Sequence, residues 1–188
     1  EVHAGEILGV AGISGNGQDE LAAALAGISA YNGTIRRNGK PSDDSRHSTA
    51  FIPADRCGQA VALSLSVREN LALRRFAEPS LSCGILLKRG AMQAFAEERI
   101  GRFRIAPGNA GALVKTMSGG NIQKLVLARE LDGQPAVVVA VNPTSGLDVA
   151  MVEFVHAELR EQRAKGAGIL LVSEDLDELL HLSDKIMV

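Results

Sequence analysis

Residues 116–127 read TMSGGNIQKLVL, a stretch that combines a hydroxyl, two glycines and the start of an apolar helical repeat. Ser118, Gly119 and Gly120 therefore crowd the N-terminus of the predicted helix. Unpaired backbone N–H groups and the positive end of the helix dipole point outward there, and glycines let an anion approach the main chain. By themselves these residues also fit a flexible turn before an ordinary capped helix, so the rest of the chain must decide.

The composition of the chain argues against several classes of function. Its 188 residues carry a net charge of −2, 3% aromatic residues and no tryptophan, so we expect no nucleic-acid partner. Cys57 and Cys83 lack metal-ligand spacing, and we expect both to be reduced thiols. No apolar run approaches the roughly 20 residues that a membrane helix needs. Because strand-like segments stand at both ends, we expect a domain excised from a longer polypeptide.

A glycine-rich loop follows the first predicted strand. Residues 6–11 (EILGVA) form that strand, and residues 12–17 (GISGNG) lead into a helical pattern. Strand, glycine loop and helix form the arrangement in which successive N–H groups make a nest for phosphate. The spacing matches the start of GxxxxGK[ST], although Gln18 and Asp19 replace its last two residues. A dinucleotide pattern, GxGxxG, fits worse because Glu20 occupies its third glycine position.

The remaining segments alternate between strands and helices around an inserted region. Further strands are predicted at residues 51–53, 134–142, 168–173 and 185–188, a hairpin at residues 34–40, and helices at residues 66–73, 88–104, 149–165 and 175–182. This alternation predicts a doubly wound parallel sheet. We expect a core formed by residues 1–56 and 120–188, and a helical subdomain formed by residues 57–119.

Six motifs in order resemble those of an ATP-binding cassette (ABC) domain. They are the Walker A loop at residues 12–19, the Q-loop at 51–56, the signature at 117–124, the Walker B strand at 137–142, the D-loop at 143–148 and the switch at 170–178. The resemblance implies an α/β fold of the P-loop NTPase type, with a mostly parallel sheet, a small antiparallel β addition and an inserted helical subdomain. More narrowly, SGGNIQKLVLAREL and LLVSEDLDELL resemble the second cassette of ATPase subunits that import simple sugars or nucleosides.

The resemblance also implies which residues would contact ATP. These are Gly12, Ile13, Ser14, Gly15, Asn16, Gly17, Gln18 and Asp19 in the loop, and Ser118, Gly119, Gly120, Gln123 and Asp148 in the signature and D-loop. In ABC dimers the signature closes over the γ-phosphate that the opposite cassette's P-loop holds, and the D-loop couples the two sites.

Three positions depart from the family pattern in ways that weaken binding of Mg²⁺-ATP. Gln18 replaces the Walker A lysine and keeps only hydrogen bonding. Asp19 brings a carboxylate beside a polyanion, and at ~4 Å such a like-charge pair costs about 1 kcal/mol in water and about 4 in a surface cleft. Val141 replaces the Walker B aspartate. We expect a Mg²⁺ site that is weak or absent, with no metal ligands; the alternative is that Asp19 and Glu20 rebuild one.

Three further departures affect catalysis. Asn142 stands where the catalytic glutamate belongs, Glu174 replaces the switch histidine, and Ala54 falls at or near the Q-loop glutamine. Losing a general base alone costs roughly 10² to 10⁴ in rate, and such losses do not simply add. Although ABC cassettes are ATPases, we expect no intact catalytic residue and negligible hydrolysis at this domain's own P-loop.

The signature, in contrast, matches the family pattern at Ser118, Gly119, Gly120 and Gln123. We therefore expect this domain to serve a partner cassette with intact Walker motifs, the N-terminal half of the same polypeptide. The resemblance further implies transmembrane permease subunits, an indirect link to a solute-binding protein, and a location on the cytoplasmic side of the cell membrane. Two alternatives remain open: a self-sufficient soluble ABC-type ATPase not tied to transport, and a phosphate-binding regulatory module without a dimer role.

Overall fold

The computed structural model describes residues 1–13, 15–37, 40–41, 49–84 and 86–188. In these ranges the elements are β1 (Ile7–Ala11), α1 (Gln18–Leu25), β2 (Arg36–Arg37), β3 (Lys40–Pro41), β4 (Thr49–Ile52), a π-helical turn (Arg56–Ala60), α2 (Val67–Ala72), β5 (Ser82–Cys83), β6 (Leu86–Leu87), α3 (Arg89–Phe103), a 3-10 turn (Val114–Thr116), α4 (Gly119–Glu130), β7 (Val137–Val141), α5 (Val149–Ala164), β8 (Gly168–Ser173), α6 (Leu176–Leu182) and β9 (Lys185–Met187). Ser14 and the turn residues of the expected hairpin at 38–39 lie outside the described residues.

The chain divides into two compact units. One unit contains Glu1–Ala54 and Gly133–Val188, and the other contains Asp55–Asp132. The sequence-based boundary at Gly120 differs from this division, because helix α4 packs against α2 and α3 and so groups with the inserted segment. Signature and P-loop therefore belong to different units.

The first unit is organised by a five-stranded parallel sheet with the order β4-β7-β8-β1-β9. Strands β7 and β8 lie inside this sheet, and both are apolar along their length because parallel central strands are covered on both faces. Their side chains join those of β1 and α1 in one core cluster, which contains Val10, Ala22, Val139, Val141, Leu170 and Val172. The predicted parallel α/β core is confirmed.

The register of the sheet aligns the carboxyl ends of its strands. Ala11 at the end of β1 pairs with Ser173 at the end of β8, and Val141 at the end of β7 pairs with Val172. The loops that follow these three strands therefore leave one edge of the sheet at one level, where open α/β sheets bind ligands.

The second unit is built around helices α2, α3 and α4. Helix α2 begins with the predicted capping box, in which Ser66 Oγ accepts from Glu69 N and the Glu69 carboxylate accepts from Ser66 N. Arg75 and Arg99 both pair with Asp132 and both lie against the ring of Phe95. A hairpin of β5 and β6, which the sequence pattern did not predict, lies between α2 and α3.

Within the described ranges, none of the helices is long and apolar enough to cross a membrane.

Replacing Gly9 with alanine tests the packing of the sheet. A Cβ at Gly9 would lie 2.5 Å from Ser183 Oγ and 3.1 Å from Leu179 Cδ2, so helix α6 would have to shift away from β1. We expect Gly9→Ala to lower the free energy of unfolding by about 1 to 3 kcal/mol in urea denaturation. Gly101→Ala is the matched control, because nothing lies within 4 Å of its added methyl. Equal stability of the two variants would contradict this packing.

The capping box predicts a pH-dependent contribution to stability. The Ser66 hydroxyl, and then the Ser66 N–H, lower the pKa of Glu69 from its ordinary value. A carboxyl with a lowered folded-state pKa stabilises the fold above its unfolded pKa, and this stabilisation is lost as the pH falls through the folded value. Glu69→Gln should therefore cost about 1 kcal/mol at neutral pH, and less in acid. Denaturation at several pH values measures the difference; a constant difference would contradict the assignment.

Candidate functional site

The glycine-rich loop after β1 has the backbone geometry of a phosphate-binding loop. Gly15 and Gly17 have φ values of 89° and 94°, a region that glycine enters without the steric cost of a side chain. Gly17 is the N-cap of α1, so the loop delivers the unpaired N–H groups of that helix to the carboxyl edge of the sheet. Gly12 to Asp19 thus lie together in the structure, apart from Ser14, which is outside the described residues.

The side chain of Gln18 folds back into this loop. Its Oε1 accepts from Asn16 N at 3.1 Å, and its Nε2 donates to Ile13 O at 3.1 Å. A Cβ placed on Gly12 would lie only 2.1 Å from Gln18 Nε2. The space that the missing Gly12 side chain leaves open is therefore filled by an amide of the same loop. With this rotamer the Asn16 N–H of the loop donates to Gln18 Oε1 and is not available to a phosphate.

Val141 leaves the end of β7 without a side-chain ligand for a magnesium ion. It is 2% exposed and packs in the apolar core. Asp19 and Glu20 are exposed on the first turn of α1, and Mg²⁺ in phosphate sites is held by one or two carboxylates together with phosphate oxygens. Val141 supplies no oxygen ligand, which Mg²⁺ prefers.

Asn142 and Glu174, at two of the positions predicted to have lost catalytic residues, contact each other. Asn142 follows β7 with a φ of 42°, and its Oδ1 accepts from Glu174 N at 3.0 Å. The amide of Asn142 thus binds the backbone of the switch segment. Together with Ala54, both residues line a cleft of roughly 750 Å³ in the first unit.

A buried carboxylate that sequence reasoning missed lies in the wall of this cleft. Glu178 is 4% exposed and is bonded by Thr144, Ser173 and His156. One signal was present in the sequence: on α6, Glu178 stands beside the buried Leu179 and four residues before the buried Leu182, so it shares the apolar face of the helix.

Asp148, expected to couple two sites, has a structural role as well. It is the N-cap of α5, and its Oδ1 accepts from Met151 N at 2.9 Å. The capping bond fixes the exit of the D-loop into α5. The other carboxylate oxygen has no bond in this cap.

The signature tip is exposed in the second unit. Ser118 is the N-cap of α4, and Ser118 and Gly119 are exposed at its start. Asn121 Nδ2 donates to Ser118 Oγ at 2.9 Å, so this amide is part of the tip although the motif comparison did not single it out. Gln123 is different: it is 1% exposed, because α4 turns that position into the unit. Its contact with ATP stays a prediction.

The chain resembles known proteins along its whole length. Residues 1–145 match a family model described as ABC transporter. All of the chain aligns with the glucose import ATP-binding protein TsgD13 of Haloferax volcanii at 38% identity, covering 36% of that protein. It also aligns in full with the nucleoside import ATP-binding protein NupA of Lactococcus lactis subsp. cremoris at 36% identity and the guanosine import ATP-binding protein NupO of Bacillus subtilis (strain 168) at 38%, covering 38% of each.

One solved structure, described as the structure of the ATP binding subunit of an ABC transporter, has a TM-score of 0.77 with this chain. The match covers 98% of this chain and 75% of the other at 23% identity, so it supports the fold. The chain spans 36% to 38% of the length of the curated relatives named above.

Replacing Gln18 with lysine should open the loop to phosphate. The lysine removes the amide that fills the cradle and adds a positive charge beside the bound anion. From the charge alone we expect about tenfold or more tighter binding of tripolyphosphate by calorimetry, with Gln18→Ala between the two. Gln134→Lys is the matched control, since Gln134 is exposed before β7, away from the loop. Unchanged binding in Gln18→Lys would contradict the assigned role of Gln18.

Proposed function

The chain belongs to the ABC transporter family, and from this membership we propose that it is the second cassette of an importer's ATPase subunit. In this proposal its signature completes the ATP site of another cassette. Its own P-loop hydrolyses ATP negligibly.

One contrast in the structure supports this division of roles. The signature tip at Ser118, Gly119 and Asn121 is accessible and carries backbone N–H groups at a helix N-terminus. The P-loop, in contrast, is filled by Gln18, and Asn142 is engaged with the switch backbone. The signature tip is therefore available to a phosphate held by a neighbouring cassette, while Gln18 occupies this domain's own P-loop.

The contrast also bears on the partner. A homodimer would place accessible signatures against P-loops that Gln18 fills, so the productive partner is a different cassette with intact Walker motifs. The chain spans 36% to 38% of its curated relatives. That length leaves room in such proteins for a second cassette, and we place the partner in the N-terminal half of the same polypeptide.

The names of the relatives guide the choice of transported solute. They are import proteins for glucose, nucleosides and guanosine. We extend this class to the present chain: a simple sugar or a nucleoside, carried by permease subunits that hold the cassettes at the cytoplasmic face of the membrane and receive solute from a binding protein. ATP-driven closure of the two cassettes would move these subunits.

Changing Ser118 tests the proposed role directly. Ser118→Arg places a bulky side chain on the signature tip, where the neighbour's terminal phosphate would have to approach. In the assembled importer, we expect transport-coupled ATP hydrolysis to fall by at least about a hundredfold, the effect of misplacing a reacting group by roughly 1 Å. Ser29→Arg is the matched control, because Ser29 is exposed just after α1.

Two results would contradict the proposal. Full hydrolysis in the Ser118→Arg importer would remove the role in the partner's site. Robust Mg²⁺-dependent turnover by the isolated chain would instead favour a self-sufficient ATPase not tied to transport.

A further inference from the structure

The carboxylate of Glu178 joins three segments of the first unit. Thr144 Oγ1, in the D-loop after β7, donates to Glu178 Oε1 at 2.8 Å. Ser173 Oγ, at the end of β8, donates to Oε2 at 2.6 Å. His156 Nε2, on α5, lies 3.0 Å from Oε1. One buried side chain on α6 is thus bonded to the D-loop, the switch strand and the helix that follows the D-loop.

Burial makes these bonds hard to exchange for water. The side chains of Glu178 and His156 are 2% and 7% exposed. An ionised carboxylate only accepts hydrogen bonds, so it matches the two hydroxyl donors, and it matches His156 in the tautomer that carries its proton on Nε2. Removing a partner leaves a buried acceptor unsatisfied, a costly state in a low-dielectric interior. The three segments are therefore held together by a shared and poorly replaceable group.

This carboxylate bonds the start of the D-loop and the helix that follows the loop. Thr144 lies near the start of the loop, and His156 lies on α5, whose first turn is capped by Asp148 at the end of the loop. A second bond reaches the residue just before the D-loop, since Asn142 Oδ1 accepts from Glu174 N at 3.0 Å. The start of the D-loop and the residue before it are thereby each bonded to the switch segment.

We propose that Glu178 is a positioning residue, which fixes the D-loop to the switch segment so that Asp148 is presented to the partner cassette in one geometry. This inference rests on the proposed function, because it concerns the ATP site of that partner. The switch position of this domain, Glu174, then contributes by bonding Asn142, the residue before the D-loop, through its backbone N–H, and not by contacting a γ-phosphate of its own.

The test uses the assembled importer and a double-mutant cycle. Thr144→Val and Ser173→Ala each remove one hydroxyl bound to Glu178 with little change in volume. Thr49→Val is the matched control, because Thr49 is a buried residue on β4 whose hydroxyl accepts from Arg37, outside the cluster. The measurements are kcat and KM for ATP hydrolysis, together with hydrogen exchange of the Ser145 and Leu147 amides, which are bonded within the D-loop.

Each cluster variant should lower kcat about tenfold without changing KM, since a small displacement of a positioned group costs that much. The double variant should also lose only about tenfold, because either change breaks the same link and the two effects do not multiply. Ser173→Ala should speed exchange of the Ser145 and Leu147 amides, although Ser173 is outside the D-loop. Thr49→Val should lower the melting temperature and leave kcat intact.

Three outcomes would overturn the inference: a hundredfold loss of kcat in the double variant, cluster variants that leave kcat intact as Thr49→Val does, or hydrogen exchange in the D-loop that is unchanged in Ser173→Ala. Its failure is distinct from failure of the proposed function. If the inference alone is wrong, one of these three outcomes appears while Ser118→Arg still lowers hydrolysis by at least about a hundredfold. If the proposed function is wrong, Ser118→Arg itself has no effect.

Discussion

The parallel pairing of β1, β8 and β7 is the constraint on which the rest of the site depends. Because Ala11 pairs with Ser173 and Val141 pairs with Val172, the loops after these strands begin at the same level of the sheet. A slip of one residue would turn every side chain of a strand to the other face and carry apolar residues out of the core. The burial of β7 and β8 on both faces therefore fixes the positions of the P-loop, the D-loop and the switch relative to one another.

The residues that depart from the family pattern at this edge of the sheet make contacts of their own. Gln18 bonds within the loop that it follows, Asn142 bonds the backbone of Glu174, and Val141 adds to the apolar core. Each replacement makes an interaction that stabilises the folded chain without a ligand. In the proposed role these internal bonds replace catalytic contacts at this edge, while the signature tip keeps accessible N–H groups. This pattern agrees with the proposed role, in which the domain presents its signature tip to a neighbouring cassette.

Sequence patterns predicted most of the architecture and part of the site. Apolar runs with flanking glycines identify the parallel strands, and the Ser66 capping box marks the start of α2, because these signals depend on neighbouring residues. Two features of the site were not predictable in this way. The burial of Gln123 depends on which face of α4 packs inward, and the rotamer of Gln18 depends on the conformation of the loop that it contacts. Helical periodicity places Glu178 on the apolar face of α6, but it does not identify Thr144, a partner 34 residues away in the sequence.

The folded-back Gln18 side chain affects the affinity and the rate with which a phosphate would bind the loop. Side-chain rotations at exposed positions take picoseconds to nanoseconds, far faster than a ligand diffuses in. The Gln18 amide therefore competes with phosphate for the loop, and because it belongs to the same chain its effective concentration is constant. The apparent affinity and the apparent association rate for phosphate both fall to the open fraction of their intrinsic values. Because the rotation is faster than binding, association shows no separate slow phase.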